Sequence, residues 1–283
     1  MRTTGRRHQG QKSAPYPFSR FALWRTGFAM KHLHLLIFLL LASLLQACAN
    51  TSTERTGVDL KKASQLNAEL ALGYLRQNNL SQAKQKLDKA LEQEKSNPLA
   101  NNTYGLLNIR LDKPDLAEKY LKKSIELSPD NGAFINNLGI FLCGQNRYEE
   151  AEKTFFRAAT NKFYKTPEYA YDNAGLCALD AAEYPKAEYF FQKALQMRAN
   201  FAQARLHLAE ATYKQLKFYE AAAHLAEYEK LAEPSPASLL WGIYIQQALG
   251  NKLGSEQLGL ELLQRFPKSK QAATYLKIRS SMD

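Results

Sequence analysis

Of the residue types that carry covalent or metal chemistry, this chain of 283 residues offers few in useful arrangements. HExxH, GxxxxGK(S/T) and GxSxG do not occur. Carboxylates cluster only at ordinary helix starts such as Tyr148-Glu149-Glu150, where acids suit the helix dipole. Three cysteines occur, Cys48, Cys143 and Cys177, too far apart for paired-cysteine zinc spacing. His207 and His224 fall on different helices and read as polar helix residues, not metal ligands. The pattern implies no catalysis, no metal and no cofactor. What remains is chemistry at the thiols, and recognition by a surface that repeats along the chain.

Charge adds no third possibility. The formal charge is +11, but residues 1–34 hold seven bases (Arg2, Arg6, Arg7, Lys12, Arg20, Arg25 and Lys31) and no acid. That leaves +4 for everything after them, a solvated surface and not a nucleic-acid footprint. Composition is that of an ordinary packed protein, 45% hydrophobic and 23% charged.

From Met30 the chain reads MKHLHLLIFLLLASLLQACAN. A basic start, the apolar run Leu35 to Leu45 and a small residue before Cys48 make a secretory signal. The run is too short to span a bilayer, which needs about 20 residues. Leu45-Gln46-Ala47-Cys48 resembles a bacterial lipobox, which implies that the Cys48 thiol is acylated and becomes the new N-terminus. Ala49 in place of an aspartate implies sorting to the outer membrane, on its periplasmic face. Ahead of this signal, 1–29 resembles upstream sequence included by an early start codon, with a long signal n-region as the alternative. Either way residues 1–47 are removed. Export delivers Cys143 and Cys177 to an oxidising compartment, where they can pair as a disulfide. Two buried thiols are the alternative.

The element that positions everything else runs from Gly132 to Lys165. It predicts two amphipathic helices, one with Ile135, Leu138, Gly139 and Leu142, the next with Tyr148, Ala151, Phe155 and Ala158. The polar stretch Gly144–Asn146 separates them. Numbered from Gly132, the small and aromatic positions match a tetratricopeptide repeat of 34 residues. The same pattern recurs over 64–97, 98–131, 168–201, 202–235 and 236–269. The fourth copy begins two residues late, and the sixth is weakest, with Ser255 and Gly259 replacing an alanine and a bulky residue. Residues 48–63 read as the lipidated Cys and a flexible tether, and 270–283 as a capping helix. The expected fold is all-α, a right-handed superhelical solenoid of six repeats whose concave groove is lined by each repeat's first helix.

In that groove, position 9 of repeats one to four is Leu72, Leu106, Ile140 and Leu176. Asn102, Asn136, Asn137 and Asn173 stand beside them, with Arg76 and Arg110 at position 13. An apolar floor flanked by amides suits an extended or helical peptide, whose backbone the amides would bond. Solvated asparagines and purely structural leucines are the other reading.

Three stretches, 68–91, 136–155 and 172–195, go beyond the generic repeat, through FLCGQ and GLCAL above all. They resemble the type IV pilus biogenesis and stability protein family PilW, also called PilF. The resemblance covers the chain from Met30 onward. It implies a monomeric outer-membrane lipoprotein, a pilotin that helps the secretin PilQ reach the outer membrane and assemble. A general envelope scaffold that recruits peptidoglycan enzymes or proteases is the rival reading.

Overall fold

The computed structural model describes residues 59–280. The signal, Cys48 and most of the tether lie outside the described residues. Among the described residues there are thirteen helices and no strand. The helix α1 covers residues 59–76 and pairs in sequence with α2 (Leu80–Gln93). The second and third pairs are α3 (Pro98–Arg110) with α4 (Pro114–Leu127), and α5 (Gly132–Gly144) with α6 (Tyr148–Ala159). They are followed by α7 (Pro167–Asp180) with α8 (Tyr184–Met197), and α9 (Ala202–Lys214) with α10 (Phe218–Glu229). The sixth pair is α11 (Pro236–Ala248) with α12 (Lys252–Arg265), and α13 (Lys270–Ser280) stands alone at the end.

Each pair is turned by the same device. Asn78, Asp112, Asn146, Ala182, Leu216 and Gly250 all have positive φ, between 53° and 77°. Each is the fifteenth residue of its 34-residue segment, so the left-handed kink recurs once per repeat. Asparagine, aspartate and glycine tolerate that region, whereas a Cβ-bearing leucine pays about 1–2 kcal/mol there. Leu216 is also 73% exposed, so it gains little from packing in return. Leu216→Gly should therefore raise stability by about 1 kcal/mol, read as a higher urea midpoint with unchanged slope. A lower midpoint would contradict this account of the turn.

Within a repeat, the two helices meet at a small residue. Gly105, Gly139 and Gly175 on the first helices face Leu121, Phe155 and Phe191 on the second. A Cβ at Gly139 would lie 2.6 Å from the Phe155 ring, which is itself 1% exposed. Between repeats, the tenth residue of each of repeats two to six packs back on the repeat before it. Leu107, Phe141, Cys177, Ala211 and Ile245 hold that place, and all are buried.

Successive first helices also touch one another, α3 with α5, α5 with α7, α7 with α9 and α9 with α11. The second helices make no such lateral contacts among the described residues. First helices therefore sit on the inside of the curve and line its concave face. One core cluster runs from Ala117 to Ala211 across repeats two to five, with further clusters at both ends.

The sixth repeat departs from the pattern for a physical reason. Where other repeats carry a bulky residue, Gly259 leaves room for the Tyr275 ring of α13, which is 3% exposed. The terminal helix plugs the last repeat from outside. Ser255, in the usual alanine place, is buried there as well.

Candidate partner groove

The groove floor is uneven. Leu72, Leu106 and Leu176 are half-buried, whereas Ile140 is 46% exposed. Leu106 packs against two core clusters at once, so it braces repeats one to three as well as facing the groove. Ile140 is the floor residue that gives least to the core. Arg76 and Arg110 are exposed, and Arg110 lies in the last turn of α3, where a cation complements the helix's carbonyl end.

The asparagines do something other than expected. Asn137 donates through Nδ2 to Asn102 Oδ1 at 3.1 Å, and Asn173 Nδ2 donates to Asn136 Oδ1 at 3.1 Å. Asp172 Oδ1 lies 2.9 Å from His207 Nδ1. In every rung the fifth residue of one repeat accepts from the sixth of the next. Asn102 and Asn136 are 3% and 7% exposed, and their Oδ1 atoms are committed to a ladder between repeats. The expectation that they bond a partner's backbone is narrowed for these two, because their carbonyl oxygens already accept from the next repeat's amides. Asn137 and Asn173 are half-buried and keep an edge toward the groove. At the head of the ladder Ala68 replaces the acceptor, and the buried Thr103 Oγ1 is left without a partner.

The ladder ends at the fifth repeat. There Leu206 takes the acceptor place and Trp241 faces it from the sixth, and the floor turns aromatic. Tyr213, Trp241 and Tyr244 form a tilted cluster, with ring centroids 5.5 Å apart from Tyr213 to Trp241 and from Trp241 to Tyr244. Lys214 Nζ lies 5.8 Å from the Trp241 centroid. Glu210 stands at position 9; burial pushes its carboxyl above the usual range, and nearby Asp180 pushes the same way against His207 and Lys214. The apolar floor expected from the sequence ends at repeat four. The same position rule, carried to Trp241 and Tyr244 at places 6 and 9, finds this half as well.

Cys143 on α5 and Cys177 on α7 are joined as a disulfide, with Cα atoms 5.8 Å apart. The late start of the fourth repeat puts Cys177 at the tenth place, the one that faces back toward the preceding repeat. It is 4% exposed. Among the described residues no group of three or more His, Cys, Asp or Glu could hold a metal ion. No described helix is long and apolar enough to cross a membrane.

Tetratricopeptide-repeat family profiles match residues 69–132 and 120–153. The type IV pilus assembly protein PilF of Pseudomonas aeruginosa is 28% identical over 237 residues, 83% of this chain and 94% of that protein. An uncharacterised Haemophilus influenzae protein is 31% identical over 135 residues, 48% of this chain and 74% of its own length. The crystal structure of PilW, a widely conserved type IV pilus biogenesis factor, superposes with a TM-score of 0.68 at 27% identity, covering 75% of this chain and 98% of that one. The chain belongs to the PilF and PilW family of tetratricopeptide-repeat proteins. The Pseudomonas aeruginosa PilF structure agrees, with a TM-score of 0.65 at 27% identity, covering 77% of this chain and 99% of that chain. Both matched PilF and PilW chains are spanned almost end to end, so the kinship extends over the whole solenoid and not over a few generic repeats.

Proposed function

We propose that this chain is a lipid-anchored pilotin for type IV pilus biogenesis, acting on the secretin PilQ. The observation that carries the reading is near full-length kinship to PilF, on a chain that also has the Leu45-Gln46-Ala47-Cys48 motif. The lipid on Cys48 supplies the address and the groove of repeats one to four supplies the grip. Leu72, Ile140 and Leu176 offer apolar contact to a secretin segment, with Asn137 and Asn173 at its edge. Binding needs no catalysis: the anchored carrier delivers its cargo to the outer membrane and raises its local concentration for multimer assembly.

Acylation supports the address physically. One acyl chain binds a membrane only marginally, whereas two or more hold firmly. The full-length chain, expressed in a cell that makes the pilus, should fractionate with the outer membrane and co-purify with PilQ. Mass spectrometry should find the N-terminal peptide starting at an acylated Cys48. An unmodified Cys48, or a membrane-bound chain still starting at Met1, would sink the anchor. An acylated chain free of PilQ would sink the pilotin reading and leave the anchor standing.

A further inference from the structure

The groove changes chemistry between its two halves, and the second half carries a separate inference. The fifth positions of repeats two to four and the sixth positions of repeats three to five are spent on the polar ladder. At the junction of repeats five and six, Leu206 and Trp241 replace it, and Tyr244 takes the floor position that Leu72 and Ile140 hold elsewhere. Tyr213, Trp241 and Tyr244 are all half-buried, so each keeps ring surface toward the groove. Their planes are tilted by 59°, 37° and 59°, so the rings form a shallow cup and not a stack closed on itself.

The cup already attracts a cation. The Lys214 ammonium stands over the Trp241 ring, where the negative face of the indole favours positive charge. Beside it lies Glu210, which among the described residues accepts no hydrogen bond and joins no ion pair. Asp180, exposed at the end of α7, adds a second negative charge close to Glu210. A half-buried carboxylate that accepts no hydrogen bond, with only the nearby His207 and Lys214 to attract it, is poorly solvated and gains strongly from a bidentate donor. A lysine ammonium satisfies either ring or carboxylate as a point charge; a planar guanidinium can stack on a ring and fork onto a carboxylate together.

We propose that the concave face of repeats five and six is a binding site for an arginine side chain carried on an extended segment of a partner protein. Its guanidinium stacks in the cup of Tyr213, Trp241 and Tyr244 and pairs with Glu210, displacing Lys214 from the Trp241 ring. This site is distinct from the floor of Leu72, Ile140 and Leu176, and stands whether or not that floor holds a secretin segment.

The chain has two tryptophans, Trp24 and Trp241; Trp24 lies in the segment expected to be removed on export, and Trp24→Phe makes Trp241 the sole reporter in the unprocessed chain as well. Its emission is titrated with the blocked peptide acetyl-Ala-Pro-Arg-Pro-Ala-amide and with versions carrying citrulline, lysine or glutamate in place of the arginine. A saturable change with the arginine peptide is expected, with citrulline binding weaker by about tenfold or more, since it keeps the planar shape and loses the charge. Glu210→Gln should weaken the arginine peptide to a similar degree, with the circular dichroism spectrum unchanged. Lys214→Met should tighten it several-fold by removing the resident cation. No saturable change with the arginine peptide, or citrulline or glutamate binding as well as arginine, overturns the proposal. So does a Glu210→Gln chain that folds natively and binds undiminished.

Discussion

Gly139→Leu should lower the stability of the solenoid by about 3 kcal/mol or more, and Gly139→Ala by about 1–2 kcal/mol. The Phe155 ring leaves no room for even a Cβ, and that ring is locked in the cluster that runs through repeats two to five. Alanine should otherwise be favoured, since it outranks glycine in a helix interior by about 1 kcal/mol. Gly73 supplies the control. It lies inside α1, and a Cβ there meets nothing within 4 Å. Gly73→Ala should therefore stabilise by about 1 kcal/mol. The same substitution is thus expected to have opposite signs at two sites, read by urea unfolding followed by circular dichroism. Equal effects at the two sites would show that helix–helix approach does not depend on Gly139.

Loss of the Cys143–Cys177 bridge should rank beside it. The two residues are 34 apart, and closing a loop of that length is worth about 4 kcal/mol on the chain-entropy model. The bridge also sits where the stack is least regular. The connection between α6 and α7 spans 160–166, longer than the four residues 128–131 and 198–201 that join neighbouring repeats. A covalent tie there holds repeat four against repeat three despite the longer connection. Reduction, or the double variant Cys143→Ala with Cys177→Ala, should lower Tm by about 10 °C in a domain of this size. Equal melting with and without reductant would contradict this, as would two free thiols in unfolded, unreduced protein from an oxidising compartment.

Much of the fold was legible because a repeat states each packing rule six times. Gly139 against Phe155 and Gly175 against Phe191 are read as easily from sequence as from coordinates. What could not be read were relations between repeats. Asn102 and Asn136 look like free amides on one helix face; their burial depends on how far the next first helix is displaced sideways, which no single repeat encodes. A better clue lay in the doublets Asn136-Asn137 and Asp172-Asn173, where the fifth position of one repeat finds the sixth of the next. Gly259 looked like a defect and is a socket, because the ring that fills it comes from outside the repeat. The aromatic cup does not show in the last repeat's consensus positions, which hold its shape; it is written in the groove positions, which face a partner.

The floor residues differ in how fairly they probe the groove. An aspartate at Leu106 would break two core clusters, so a loss of function there would be ambiguous. Ile140, 46% exposed, can accept a charge with little loss of stability, while a partner seated over it would have to bury that charge unpaired, losing several kcal/mol of affinity. The most direct measurement is the level of PilQ multimers in outer membranes of cells whose only copy of this protein carries Ile140→Asp, set against the purified variant's circular dichroism spectrum. The account predicts a sharp loss of multimers with native helical content. Wild-type multimer levels with a natively folded Ile140→Asp chain would contradict it.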